Sequence, residues 1–474
     1  MDNPYILMLI ALALLAVIDL VVGVSNDAVN FLNSAIGSKA ISIRNIMIIA
    51  SIGVFFGAIT SSGMMEVARK GIFNPEMFMF QDIMFIFMAV MITDILLLDV
   101  FNTLGMPTST TVSIVFELLG AAVVISLIKI SQNDTESFNA IWNYINYEKA
   151  SMIIFGILLS VVVAFSVGAL VQFVSRLIYS FNFEKRPNYI NALFGGFAIT
   201  AITYFIIIKG MKGTPFYVDV KHLIEYNTLL IITGSFLLWT LISQLLITFF
   251  NINILKLIIG IGTFSLAMAF SGNDLVNFVG VPIAAWNSYQ VWETSGISAT
   301  TFSMGVLAQK VPSNVFLLLF AGAIMVVTLW TSSKARNVIK TGIDLSRQGE
   351  GHEKFKPNPL SRLVVRASMG INSGLSYIIP AKTIAFVDSK FQKPVIELPK
   401  DKTYELPAFD MVRASVNLIV AGILISIATS MRLPLSTTYV TFMVAMGTSL
   451  ADRAWGRESA VYRVAGVINV IGGW

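Results

Sequence analysis

The sequence predicts an all-α polytopic membrane protein made of two inverted repeats. Three observations carry this prediction: apolar runs long enough to cross a bilayer, a scarcity of charge, and a pair of short polar motifs that occurs twice. Of 474 residues, 56% are hydrophobic and only 12% are charged, and the mean hydropathy is +0.78. Ordinary soluble domains carry about twice that charge fraction. Apolar stretches cover Tyr5–Val24, Ile46–Met64, Ile83–Leu98, Met152–Val171, Tyr189–Ile208, Leu229–Phe250 and Val315–Trp330. With their flanks, each reaches the ~18–20 residues of a spanning helix. The start, MDNPY, lacks the basic segment and cleavage site of a signal peptide, so the first helix is expected to be retained.

Composition also excludes several functions. The chain has no cysteine, which removes thiol chemistry, Cys-zinc sites and disulfides. Its two histidines, His222 and His352, sit in polar segments and do not form a cluster for haem or zinc. Ser-His or Cys-His pairing, HExxH and a Walker A loop are all missing, so neither an enzyme nor a cofactor is expected. The net charge of +5 calls for no nucleic-acid partner, because membrane proteins collect Lys and Arg on cytoplasmic loops.

Basic residues predict the orientation. Lys39 and Arg44 follow the first apolar run, which places the amino terminus outside the cell membrane. Arg176, Lys185 and Arg186 mark a second inner loop; Lys209, Lys212 and Lys221 fit less well but are accompanied by Asp219 and Glu225. The segment 332–407 is the one long hydrophilic stretch, basic and expected to be cytoplasmic. Within it RQGEGHEKFKPNP reads as flexible loop and PLSRLVVRASMG as a short surface helix.

The repeats rest on motifs. NDAVN at 26–30 is followed by PTSTT at 107–111; NDLVN at 273–277 is followed by PLSTT at 434–438. Asp27 and Ser109 are 82 residues apart, Asp274 and Ser436 are 162 apart, and the excess of 80 is close to the length of the hydrophilic segment. The chain thus divides into 1–210 (first repeat and following helices), 211–331 (second-repeat helices with NDLVN), 332–407, and 408–474 (remainder of the second repeat). Counting crossings, with 107–130 as one of them, sends the two Asn-Asp helices in opposite directions. Duplicated halves with broken or re-entrant helices at the site are the usual build of secondary transporters. Val461–Trp474 begins another apolar run that stops short of a span, which leaves a continuation of the chain open.

Pro-X-Ser-Thr-Thr has the chemistry of a helix start: proline suits the first turn, and a hydroxyl accepts from the free amides. Such a start carries partial positive charge and several donors, an anion site, and three hydroxyls suit a tetrahedral oxyanion. The alternative is an ordinary interfacial cap. Asn-Asp-X-X-Asn contains no cation, so a carboxylate beside an anion needs Na⁺ or a proton, for which carboxylate and amide oxygens are suitable ligands. Otherwise Asp27 simply bonds a neighbouring helix. Asp19, Asp94, Asp99 and Glu117 have no convincing second copy; Asp99 reads as the polar end of a helix, although it and Asn102 could line the same cavity. Gly120–Ala121 and Gly447 read as close packing positions.

These four motifs together resemble the inorganic phosphate transporter (PiT) family, over essentially the whole chain. The resemblance implies import of inorganic phosphate by symport with Na⁺ or H⁺, an inverted-repeat fold, a multi-pass position in the plasma or inner membrane, and a homodimer. It assigns phosphate to Ser109, Thr110, Thr111, Ser436, Thr437, Thr438, Asn26 and Asn273. It assigns the cation, written as Na⁺ at Asp27 and Asp274, to Asp27, Asn30, Asp274 and Asn277. Many relatives have histidine after Ser-Thr-Thr, where this chain has Val112 and Tyr439; a histidine proton relay is therefore missing, and Na⁺ is expected over H⁺. A cation channel or exchanger, or a symporter of another oxyanion such as sulfate, is the alternative reading.

Overall fold

The computed structural model describes residues 3–61, 71–133, 137–204, 222, 224, 226–308, 315–349, 353–392, 406–431, 435–456 and 459–474. The ends of the expected spans Ile46–Met64 and Tyr189–Ile208, the groups Lys209, Lys212, Asp219, Lys221 and Glu225, His352 and Pro434 lie outside the described residues.

The described residues fold into helices with no strand. The first repeat holds α1 (Pro4–Asp27), α2 (Val29–Ser38), α3 (Ile43–Thr60), α4 (Phe80–Leu104) and α5 (Thr110–Gln132). Then come α6 (Tyr147–Tyr179), α7 (Asn188–Ala201) and α8 (Thr228–Phe250). The second repeat opens with α9 (Ile254–Ser295) and α10 (Val315–Thr331). The basic segment contributes α11 (Ser333–Ser346), α12 (Pro359–Ile378) and α13 (Ala381–Lys390), and the chain closes with α14 (Met411–Ser430), α15 (Thr437–Ala451) and α16 (Ser459–Gly473). Seven helices among the described residues are long and apolar enough to cross a bilayer, counting α1 with α2 as one rod; α10 and α11, bent by 69° where they meet, make an eighth. Their outward faces are apolar, with Ile10, Leu14, Phe155, Leu158, Leu237 and Leu241 exposed. Without water to satisfy the backbone, helices of this kind are what a bilayer core tolerates. The chain is a multi-pass membrane protein.

The core helices of the two repeats match in how they pack. Helix α1 packs on α4 as α9 packs on α14, and α4 on α5 as α14 on α15; α3 crosses α9 while α10 crosses α1. At the centre α1 and α9 approach closely. A Cβ on Gly23 would lie 2.1 Å from the Phe278 ring, and at the symmetry-related positions the rings of Phe31 and Phe270 are 5.3 Å apart. Small residues also bring α6 onto α15: a Cβ on Gly447 would sit 2.2 Å from the Phe165 carbonyl, and one on Gly168 2.9 Å from that of Val444. Gly447 is thus a packing glycine, as small residues commonly are between membrane helices. Gly120 is not, because nothing lies within 4 Å of its Cβ position.

The basic segment is partly built into the core. Ser332 caps α11, accepting from Ala335 N at 3.1 Å, and Ala335, Val338, Ile339 and Leu345 are buried where α11 packs against α2. The expected surface helix is present as α12. Lys354 returns to the first repeat and donates to the carbonyls of Leu104 and Gly105 at 2.7 and 3.2 Å. At the end of α15, Asp452 accepts from Arg176 at 2.6 Å, Arg413 at 2.9 Å and Gln172 at 2.8 Å. All four side chains are fully buried, so this network pins α6, α14 and α15 together.

Candidate functional site

Each repeat breaks just before its Ser-Thr-Thr, and the local sequence explains why. After Leu104, Gly105 adopts a left-handed conformation (φ 61°) that glycine reaches without a Cβ clash. Gly105 N donates to Asn102 O at 3.0 Å and Met106 N to Phe101 O at 2.9 Å, closing α4. Pro107 cannot resume the ladder, and Ser109, in an extended conformation, starts α5 by accepting from Val112 N at 3.1 Å. Ser436 starts α15 in the same way, accepting from Tyr439 N at 3.0 Å. Ser109 and Ser436 are 2% and 0% exposed. Both helix starts are thus buried within the protein.

The Asn-Asp helices face both starts, and the contacts are crossed. Asp27 accepts from Thr110 of its own repeat and from Thr438 of the other, both at 2.8 Å. Asp274 accepts from Thr437 of its own repeat at 2.7 Å and from Thr111 of the other at 3.0 Å. The asparagines one turn on follow the same rule: Asn30 donates to Thr438 at 3.0 Å and Asn277 to Thr111 at 2.9 Å. Exchanging the two repeats maps every one of these pairs onto another. Asp27, Asp274, Asn30 and Asn277 are buried, as are all the threonines except the half-buried Thr111. The structure therefore gathers Asp27, Asn30, Asp274 and Asn277 with Thr110, Thr111, Thr437 and Thr438 into one place.

Asn26 is used differently. Its amide donates to Asn102 Oδ1 at 2.9 Å and to Met106 O at 3.1 Å, and its oxygen accepts from Thr108 N at 2.8 Å. Asn102 in turn donates to Val22 O at 2.7 Å. Asn26 thereby ties the α4–α5 break to α1. Asn273 stands at the matching position of α9, half-buried. Asn102, which the sequence allowed as a residue lining the same cavity, is fully buried and holds this break. Trp474, not singled out from the sequence, links the two starts: its ring stacks on Tyr439 at 3.8 Å and its indole donates to Pro107 O at 3.0 Å.

A second acidic group lies beside this site: Asp94 and Glu117 meet at Ser113, and Asp19 faces Asp94. Asp94 and Glu117 both contact the Ser113 hydroxyl, Glu117 at 2.8 Å. Asp99 is apart from it, paired with Lys334 and about half exposed, in keeping with the polar end of a helix. A cavity of about 620 Å³ runs along α4 and α5, lined among others by Thr108, Ser109, Ser113 and Glu117.

Comparison with known proteins identifies the family and the fold. The profile of the "Phosphate transporter family" matches residues 23–342, well over half of the chain. Curated relatives carry the name "putative phosphate permease". One from Thermococcus kodakarensis is 26% identical over 42% of this chain and 44% of its own length. One from Pyrococcus horikoshii is 24% identical over 63% of this chain and 68% of its own. One from Pyrococcus furiosus is 33% identical over 21% of this chain and 25% of its own. The matches thus span from about a quarter to about two thirds of these relatives. A solved structure named "The sodium-dependent phosphate transporter" superposes with a TM-score of 0.60 at 18% identity, covering 98% of both chains, and shares the fold. By the family profile and the repeated motifs it spans, the chain belongs to the phosphate transporter family.

Proposed function

We propose that the chain moves inorganic phosphate across its membrane by symport with Na⁺ in an alternating-access cycle. The observation that carries this reading is the crossed clasp, in which each buried carboxylate takes one hydroxyl from each repeat. Family membership supports phosphate as the anion. Two buried helix starts supply partial positive charge and free amides, and the hydroxyls of Ser109, Thr110, Thr111, Ser436, Thr437 and Thr438 supply further donors. Asn26 contributes by holding the first start in place, and Asn273 stands at the corresponding position of the second repeat.

The hydroxyls explain the coupling. Each threonine has one proton to donate. While Thr110 and Thr438 give theirs to Asp27, neither is available to phosphate, and two bare carboxylates would repel the anion by several kcal/mol. A Na⁺ held by Asp27 and Asn30, with another at Asp274 and Asn277, takes over the carboxylates through hard oxygen ligands. The threonine protons are then free to turn to phosphate. Cation and anion bind together, and the loaded site closes. In this reading the amino terminus is outside and the segment 332–407 cytoplasmic.

Uptake of labelled phosphate into proteoliposomes, with Na⁺ replaced by choline at several pH values, tests the proposal. Saturable uptake that disappears without Na⁺ at every pH is the expected result. A flux independent of Na⁺ would overturn the sodium assignment, and full competition by sulfate would reassign the anion.

A further inference from the structure

Three carboxylates of the first repeat have no role in the clasp. Asp19 on α1 and Asp94 on α4 are 0% exposed, and Glu117 on α5 is half-buried. At the same offsets from the duplicated motifs, the second repeat has Leu266, Ala421 and Val444, with Val440 in place of Ser113. The fold fills these positions with apolar side chains just as well, so packing does not demand the acids.

Their bonding is incomplete. Both oxygens of Asp19, Oδ2 of Asp94 and Oε2 of Glu117 are buried without a hydrogen-bond partner among the described residues. Asp19 faces Asp94, and Ser113 contacts both Asp94 and Glu117. A serine hydroxyl carries one hydrogen, so it donates to one of the two carboxyls and the other must donate to it. Two facing carboxyls, Asp19 and Asp94, likewise bond only if one carries a hydrogen. No ion pair among the described residues involves any of the three. An unpaired buried ion costs several kcal/mol, and a carboxylate in that position ordinarily takes up a proton. The contacts run in a line, Asp19–Asp94–Ser113–Glu117, and no three acidic groups among the described residues converge as a metal site would require.

We propose that Asp19, Asp94, Ser113 and Glu117 form a proton-binding chain, filled from the cavity at Glu117, whose proton is required for phosphate to load. The titratable groups facing it are Asp27 on α1 and, beyond Asp27, Asp274 on α9. The pairs Asp82–Lys129 and Asp99–Lys334 lie further along α4 on either side. A proton held here reduces the negative charge around Asp27 without occupying the clasp. That consequence rests on the proposed function; protonation of the chain does not.

Infrared spectroscopy of the full chain in lipid at neutral pH, read at the carbonyl stretch of protonated carboxylic acids, tests the first half. Glu117→Gln and Asp94→Asn should each remove part of that band. The removed component should titrate away in alkali and be unchanged by saturating Na⁺. No component lost in either variant, or one that Na⁺ abolishes at fixed pH, overturns the proposal. Glu117→Gln, at the cavity wall, keeps the test open if Asp94→Asn does not fold.

Transport tests the second half. At saturating Na⁺, the ratio of wild-type to Glu117→Gln phosphate uptake should fall about tenfold per pH unit once the chain deprotonates, as loss of one bound proton requires. The ionisation of phosphate itself is common to both proteins and cancels in the ratio. A ratio that does not change with pH overturns the role in loading. A wild-type protein that takes up no phosphate would defeat the proposed function, while the infrared result would still decide whether the chain holds a proton.

Discussion

Thr438 donates its hydroxyl to Asp27 across 2.8 Å, although 411 positions separate them in the chain. The same relation joins Thr111 to Asp274, so energetic coupling should run crosswise between the repeats. Thr438→Val and Asp27→Asn should be non-additive by about 1.5–3 kcal/mol, the range for a hydrogen bond to a charged group. Thr438→Val with Asp274→Asn should come closer to additive. A double-mutant cycle on apparent Na⁺ affinity in the uptake assay distinguishes the two.

Asp27→Asn and Asp274→Asn should each weaken apparent Na⁺ affinity about 100-fold, corresponding to ~3 kcal/mol. The near-isosteric amide keeps the volume, so thermal stability in detergent should be largely retained. Uptake with unchanged Na⁺ dependence in either variant would remove that aspartate from the cation site.

Asn102 holds the first break through Asn26 and Val22. Asn102→Ala removes the second donor to the Val22 carbonyl and leaves part of the Asn26 amide unpaired, at a cost of about 1–3 kcal/mol. A lowered melting temperature together with a raised phosphate KM is the expected result. A raised KM alone, with stability intact, would indicate that Asn102 contacts the anion directly.

At the far end of α15, burial pushes the Asp452 carboxyl up, but Arg413 and Arg176 outweigh it and hold the group below the usual carboxylate range. A depressed carboxyl contributes stability that is complete above its ordinary pKa of ~4 and is lost as pH falls through the lower folded value. Asp452→Asn leaves two buried guanidinium groups short of charge and should cost about 3–5 kcal/mol. Thermal unfolding from neutral to acid pH should show wild type losing this advantage and the variant lacking it throughout.

What could be read from the sequence was what the chain states twice. Asp27 with Asp274, and Ser109 with Ser436, stood out because unrelated motifs recurred in order, and the helix starts follow from proline and hydroxyl chemistry. The group Asp19, Asp94 and Glu117 could not be read that way: its members occur once, far apart in sequence, and only the packing of α1, α4 and α5 lines them up, Asp19 beside Asp94 and Asp94 and Glu117 on Ser113. The part played by Asn26 depends on which partners saturate its amide, which spacing does not specify. Helix α11 was hidden by composition, since its charged outer face made a buried element look like the start of a loop.

The crossed clasp has a bearing on origins. Neither carboxylate receives its full set of hydroxyls from one repeat, so a single repeat contains no complete site. An ancestor of one repeat could have worked only as two copies inserted in the membrane in opposite senses, and fusion of the genes would then have fixed that arrangement. The two repeats, divided between α8 and α9 and expressed separately, should show no uptake alone and recover it when produced together.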